Sequence, residues 1–211
     1  MHNISTGRER TIKKNGIETG KEYIFDEVSG SLGSLVLQGV TYRTSILREN
    51  NIRLQEKCFY EDAEYDIYPV QYVNSMIFFD IPVYVYRIGS PTQSVNPQNV
   101  VRNINMLNTI VDNLVVYFNN LPGGLSDPKV NYIKKQICRI IRNMYGAYMK
   151  MPIGRDAFES IHKFDQRLKA RSPILYKASN TAVIRLLRLN IYPVYCLGCK
   201  MFEYKRKMRG F

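Results

Sequence analysis

The stretch that decides the fold is residues 42–94, which read YRTSILRENNIRLQEKCFYEDAEYDIYPVQYVNSMIFFDIPVYVYRIGSPTQS. Apolar residues at helical spacing follow Glu61 and Asp62, so this pair is predicted to open a helix. Beyond that helix, residues 75–79 (SMIFF) and 83–86 (VYVY) are rich in aromatic and β-branched side chains, which is typical of strands. The stretch is therefore predicted to mix helix and strand.

The flanking sequence divides the chain into three parts. Residues 1–22 are polar and are predicted to form a flexible arm, and residues 23–97 to form the mixed domain. Residues 98–211 are predicted to be helical, because apolar side chains recur there at helical spacing. The helices are predicted over 98–120, 129–149 and 155–170, with shorter apolar stretches studded with Arg and Lys at 182–189 and 191–204.

Several ordered motifs in residues 42–94 resemble the second half of the catalytic domain of family 2 glycosyltransferases, which have the GT-A fold. The family shows an arginine-containing helix, an Asn-rich turn, a Glu-Asp pair opening a helix, a "D.PlY.YR" strand and a polar "S.S" loop. The matching segments here are Tyr42-Arg43-Thr44-Ser45, Glu49-Asn50-Asn51-Ile52, Phe59-Tyr60-Glu61-Asp62, residues 80–87 (DIPVYVYR) and Thr92-Gln93-Ser94.

This resemblance implies a fold and an activity. The fold would be α/β, a partial GT-A-like mixed sheet followed by a helical C-terminal region. The activity would be inverting transfer of a sugar from a nucleotide-diphosphate sugar to a glycan or lipid-linked acceptor, in the synthesis of surface polysaccharide. Such a transfer needs a base for the acceptor hydroxyl, and the resemblance assigns that role to Asp62. The alternative is that Glu61 and Asp62 are ordinary first-turn residues of a helix.

The resemblance also suggests roles for neighbouring polar residues. Glu61 would orient or support the base, and Arg87 would approach the donor diphosphate, for which a guanidinium is well suited. Arg87 is equally consistent with a solvated arginine at a strand end. Gln93 and Ser94 would lie in a loop that closes over the site, and Arg43 is either structural or lines the acceptor site. Glu64 and Asp66 are predicted to be solvated, because alternating carboxylates on a helix do not converge on a metal.

The features of a donor-binding half are missing from the sequence. Family 2 enzymes have a nucleotide-binding region of about a hundred residues before the matching stretch, ending in an Asp-x-Asp motif that holds Mg²⁺ or Mn²⁺. Only 41 residues precede Tyr42, and they contain no Asp-x-Asp. A divalent metal is therefore implied by the family alone, and no metal ligand is assigned. We expect an incomplete donor site and a need for a homo-oligomer or a partner chain.

Charge is concentrated at the C-terminal end. The formal net charge is +12, and residues 151–211 hold 13 Lys and Arg against 4 Asp and Glu. Over residues 182–209 the basic side chains alternate with apolar and aromatic ones, which predicts either an anionic membrane surface as partner or a terminal helix with solvated charges. No nucleic-acid-binding motif accompanies the charge, so nucleic acid is not expected as the partner.

Localisation follows from the cysteines and the charge. Cys196 and Cys199 form a C-x-x-C, but no second pair completes a zinc site, so the cysteines are predicted to be thiols in a reducing compartment. The expected location is cytoplasmic and peripheral on the inner face of the cell membrane. Two alternatives to the transferase stay open: an inactive remnant or interaction module of the same fold, and a basic membrane- or nucleic-acid-binding helical protein.

Overall fold

The structure is a computed structural model that describes the backbone of residues 2–3, 17–85, 87–88, 93–94 and 96–208. Side chains are described for residues 17–85, 87, 93–94 and 96–204. Most of the predicted arm (1–22) and Tyr86 and Thr92 of the quoted motifs lie outside the described residues. The strands in the described part of the chain are β1 (His2–Asn3), β2 (Glu22–Ile24), β3 (Ser75–Ile77) and β4 (Arg87–Ile88). The helices are α1 (Phe25–Val28), α2 (Thr44–Glu49), α3 (Asp62–Ile67), a 3₁₀ turn (Tyr68–Tyr72), α4 (Pro97–Arg102), α5 (Ile104–Asn119), α6 (Asp127–Tyr148), α7 (Arg155–Arg171), α8 (Pro173–Ala178), α9 (Ala182–Leu187) and α10 (Tyr192–Met208).

The predicted α/β, GT-A-like mixed sheet is wrong. Over the residues that the structure describes, 59% are helical, and each strand is two or three residues long. Among the described residues the strands form two separate pairs: β1 with β4 in parallel, and β2 with β3 antiparallel, with Tyr23 opposite Met76. A strand needs neighbours on both sides to extend a sheet, and β3 has β2 as its one described neighbour.

The segment that was expected to hold the two strands explains the error. Residues 78–79 and 83–85 belong to the predicted strands but form no regular secondary structure. Five large apolar side chains there are more than half exposed, with Val83 at 72%. β-propensity describes how well a residue fits a half-buried pleated surface, so composition alone does not produce a strand where no neighbouring strand buries it. These side chains are Phe79, Ile81, Val83, Tyr84 and Val85.

The chain forms two compact units. Unit 1 comprises residues 1–96 and 121–133, and unit 2 comprises residues 97–120 and 134–211. In unit 1, the rings of Phe25 and Tyr132 meet edge to face with centroids 5.4 Å apart. The Tyr132 hydroxyl donates to the carbonyl of Gly33 (3.0 Å) and accepts from the amide of Leu35 (3.1 Å), which fixes the loop after α1.

Helix α3 and the 3₁₀ turn form the second part of unit 1. Pro69 interrupts the helical pattern, and the chain changes there from α to 3₁₀ geometry. Ala63, Ile67 and Val70 are buried on one side, at the spacing of a helical face. Glu61 and Asp62, at the start of α3, remain at the surface, and the candidate site lies there.

Unit 2 is a helical assembly, and its main helices match the sequence predictions. The helix predicted over 129–149 is α6, and the one over 155–170 is α7. The helix predicted over 98–120 is divided into α4 and α5 at Asn103, which has non-helical dihedrals. Successive turns of α5, α6 and α7 supply the core, through Ile110, Leu114, Ile137, Ile141, Met144, Ile161, Phe164 and Leu168.

An ion pair is buried inside unit 2. Arg188 donates through Nε to Oδ1 of Asp165 at 2.7 Å, and the side chains are 7% and 13% exposed. Tyr145 donates its hydroxyl to the same carboxylate and accepts from Nη2 of Arg188 at 2.9 Å. The guanidinium also stacks 3.6 Å from the ring centroid of Tyr176. Arg188 therefore fastens the end of α9 to α6, α7 and α8.

No helix among the described residues has both the length and the apolar character needed to cross a bilayer.

Candidate functional site

The Glu61-Asp62 pair lies at the surface of unit 1. Asp62 is the first residue of α3, and Glu61 is the residue before it. Both are exposed, whereas Ala63 directly after them is buried. The carboxylates are thus presented to solvent from a segment that is anchored by its next residue, which is a suitable position for a base that must meet a substrate.

Tyr60, the residue before the pair, has an unusual backbone conformation. Its φ is +75°, a left-handed value that a bulky aromatic residue rarely adopts. Such a conformation costs about 1–3 kcal/mol and persists where the surroundings impose it, most often near functional sites. Burial and then the negative charge of the Asp62 carboxylate raise the pKa of Tyr60.

The Tyr60 hydroxyl connects the acidic pair to the polar loop. It donates to the carbonyl of Ser94 at 3.3 Å, across 34 residues of sequence. The side-chain amide of Gln93 in turn donates to the carbonyl of Arg87. The structure therefore links Tyr60, which lies next to the acidic pair in the sequence, with the backbone at Ser94, and links Gln93 with the backbone at Arg87.

Arg87 lies in β4 and its side chain is exposed. Both alternatives for this residue, a ligand for a donor diphosphate and a solvated strand-end arginine, are compatible with exposure. The structure adds a hydrogen bond from the Gln93 side chain to the backbone carbonyl of Arg87, which keeps the backbone of Arg87 next to residues 93–94.

Arg43 lies on the opposite end of the matching stretch. It precedes α2 and is exposed. The residue before it, Tyr42, packs its ring edge to face on Tyr65 with centroids 5.3 Å apart and donates to the carbonyl of Asp66 at 3.4 Å. Arg43 is thus tied to α3 through its neighbour, while its own side chain stays in solvent.

The prediction that Glu64 and Asp66 are solvated is wrong. Glu64 is 1% exposed and Asp66 is 6% exposed. Glu64 accepts from the backbone amide of Gln55 at 2.6 Å and from the Tyr68 hydroxyl at 3.0 Å. A carboxylate that satisfies a backbone amide and a hydroxyl can be buried without an uncompensated charge. Glu64 therefore holds the extended segment that leads to Tyr60.

These carboxylates do not form a metal site with Asp62. Among the described residues, no three His, Cys, Asp or Glu side chains come together as metal ligands. Glu64 points to Gln55 and Tyr68 inside unit 1, whereas Asp62 faces solvent. The described residues do not fit the Mg²⁺ or Mn²⁺ that the resemblance implies, because such ions need several convergent oxygen ligands.

Two features of this site were missed in the sequence. Tyr60 was part of a quoted motif, but no role was assigned to it, and the left-handed conformation of an aromatic residue has no sequence signal. By contrast, the left-handed φ of +46° at Asn51 falls on a residue type that tolerates this geometry. Glu64 could have been identified as buried from its position one turn before the buried Ile67 and next to Ala63.

Comparison of the chain with protein-family models, with curated proteins and with solved structures finds no match. The interpretation of the site therefore depends on its own residues and on the motifs of residues 42–94.

Proposed function

We propose that this chain supplies the acceptor-activating part of an inverting glycosyltransferase, which moves a sugar from a nucleotide-diphosphate sugar to a glycan or lipid-linked acceptor in surface polysaccharide synthesis. The observation that carries the proposal is the exposed Glu61-Asp62 pair behind a strained Tyr60 that is bonded to the polar loop at Ser94. An acidic pair that only begins a helix in solvent would need neither the strained backbone at Tyr60 nor its hydrogen bond to Ser94.

Asp62 acts as the general base in this proposal. The acceptor hydroxyl oxygen attacks the anomeric carbon and forms the new carbon–oxygen bond, while the bond to the diphosphate oxygen breaks. The hydroxyl proton moves to Asp62, and the nucleoside diphosphate leaves with the bonding electron pair. A positioned base of this kind contributes about a hundredfold to ten-thousandfold in rate. Glu61, exposed beside it, orients the acceptor or supports the charge of the base.

Arg87, Gln93 and Ser94 form the donor-facing part of the site. A guanidinium binds a diphosphate through paired charge-assisted hydrogen bonds. Gln93 holds the backbone at Arg87, and Ser94 is held by Tyr60, so binding at the loop and the position of the base are connected. No step is assigned to a metal.

A second candidate function is an interaction module without catalysis of its own. The observation that favours it is the exposed apolar stretch of residues 79–85, directly before Arg87. Large contiguous apolar surface is characteristic of a face that another protein segment covers. In that case the acidic pair would form part of a functional site only when another protein segment covers residues 79–85.

Calorimetric titration distinguishes the two candidates. UDP and GDP are titrated into the full chain with Mg²⁺ or Mn²⁺ present, and into Arg87→Ala and Arg48→Ala. Arg48 is the matched control, because it is an exposed arginine of unit 1 at the last turn of α2. A transferase predicts binding of at least one nucleotide, weakened about tenfold or more by Arg87→Ala and little changed by Arg48→Ala.

If neither nucleotide binds, or if the two variants weaken nucleotide binding equally, the result would count against a donor site at Arg87. That result would favour the interaction module. Circular dichroism of each variant checks that the helical content is unchanged, as is expected when an exposed arginine is replaced.

A further inference from the structure

Helices α9 and α10 pack on each other and leave an apolar face outside. A Cβ added at Gly198 would lie 3.9 Å from Cδ2 of Leu187, so the two helices are in close contact. Isolated exposed apolar residues are ordinary, but here they are concentrated in two adjacent helices and their connection. The exposed large apolar side chains of this outer face are Val183, Leu186, Leu189, Ile191, Leu197, Met201 and Tyr204.

Helix α10 has a sharply divided surface. Tyr195 and Cys199 are each 1% exposed and point into unit 2, where Tyr195 packs on Phe158 with ring centroids 5.5 Å apart. Leu197, Met201 and Tyr204 are between 52% and 66% exposed. Their spacing of four and three residues places them on one side of the helix. The two sets occupy different faces of the same helix, so the outer face is not a continuation of the core.

Basic residues accompany this apolar face. Residues 182–211 contain seven Lys and Arg and one Glu. Arg185 and Lys200 are exposed on the two helices that carry the face. Arg188 is an exception to the sequence interpretation, because it is turned inward to Asp165 and does not contribute to the surface. The remaining surface combines aliphatic side chains, a tyrosine and cations.

We propose that the outer face of α9 and α10 lies on an anionic phospholipid surface. The helices would lie in the plane of the interface, with Leu197 and Met201 in the acyl boundary and Arg185 and Lys200 at the headgroups. Tyrosine is suited to the headgroup level, where Tyr204 would sit. A protein partner of acidic character would match the cations but would not require an apolar face of this length. A nucleic acid would not match the aliphatic side chains.

Attachment to a membrane and transfer of a sugar are separate properties of the chain. The outer face belongs to unit 2, whereas Asp62 and Arg87 belong to unit 1. Loss of one property is therefore expected to leave the other unchanged.

Vesicle flotation tests this proposal with the full chain. Vesicles of phosphatidylcholine alone are compared, at low and high salt, with vesicles that also contain the anionic lipid phosphatidylglycerol as a minor component. We expect flotation with the anionic vesicles, a marked loss with the neutral ones and partial loss at high salt. The variant Leu197→Gln/Met201→Gln is expected to weaken binding by about a hundredfold, and Lys200→Gln by about fivefold.

The matched control is Val116→Gln/Ile174→Gln, which removes two exposed aliphatic side chains from α5 and α8 of the same unit. It is expected to float as the unchanged chain does. Circular dichroism and thermal unfolding establish that both double variants remain folded, since all four positions are exposed.

Three results would overturn the proposal. The first is no flotation with anionic vesicles. The second is equal weakening by the Leu197/Met201 and the control variants. The third is a concentration-dependent dimer, or binding to an RNA or DNA duplex, that Leu197→Gln/Met201→Gln abolishes while vesicles are not bound.

Discussion

At the residue scale, the buried Arg188 connects several helices of unit 2 through its guanidinium. It satisfies Asp165 and Tyr145 and stacks on Tyr176, and its charge is largely removed from water. Burial and the hydrogen bond to Asp165 raise the pKa of Tyr145, so its hydroxyl remains a donor in this network. Removal of one partner of a buried ion pair leaves an uncompensated charge, which is the expensive part of such a change.

We predict that Arg188→Met lowers the free energy of unfolding by about 3 kcal/mol or more. The matched control is Arg171→Met, which loses an ion pair to Asp112 of 3.1 Å between side chains that are 45% and 32% exposed. That exposed pair is worth about 0–1 kcal/mol. Urea unfolding of the two variants measures the difference, and an equal loss in both would contradict a buried network centred on Arg188.

The sequence permitted part of this residue-level description. The prediction that Glu61 and Asp62 open a helix is confirmed, since α3 begins at Asp62. Burial of Glu64 and Arg188 was not predicted, because a charged residue is interpreted as solvated unless its partner is known. Their partners are Gln55 and Asp165, and the folded chain brings them together.

At the element scale, the loop between α5 and α6 contains a glycine whose conformation requires glycine. Gly124 has φ of +94°, and a Cβ there would meet nothing within 4 Å. A side chain at this position is therefore disfavoured by backbone strain and not by steric crowding. Gly123 beside it has equally open space without a positive φ. The two neighbours therefore separate the effect of conformation from the effect of space.

We predict that Gly124→Ala lowers the free energy of unfolding by about 1 kcal/mol. Gly123→Ala is expected to leave it unchanged or raise it by about 0.5 kcal/mol, because alanine reduces the freedom of the unfolded chain. Thermal unfolding of both variants is the measurement. A larger loss for Gly123→Ala would show that the conformation assigned to this loop is wrong.

Helices could be predicted from this sequence more reliably than strands. Apolar residues at a spacing of three and four describe a face that one helix makes by itself, so α6 and α7 were placed to within two residues. Strands depend on neighbours that sequence composition does not specify. Residues 83–85 have the composition of a strand and lie exposed outside any sheet.

At the scale of the whole molecule, the proposed site of sugar transfer and the proposed membrane-binding face lie in different units. Unit 1 contains the acidic pair, the strained Tyr60 and the polar loop, and unit 2 contains α7, α8 and the outer face of α9 and α10. The predicted fold class failed because it was carried over from the motifs of residues 42–94. Those motifs specify local segments, whereas a mixed sheet requires additional strands beside β3.

The central claim is that Asp62 is the base for sugar transfer, and a comparison of Asp62→Asn with Asp156→Asn tests it most directly. Asp156 is the matched control, because it is an exposed aspartate in the first turn of a helix, α7, in the other unit. Transfer from UDP- and GDP-linked sugars to oligosaccharide and lipid-linked acceptors is measured with each chain. We predict that Asp62→Asn lowers kcat by about a hundredfold or more with an unchanged KM for the donor, while Asp156→Asn retains full activity. Equal rates in the two variants, or no transfer by the unaltered chain with any donor, would contradict the claim.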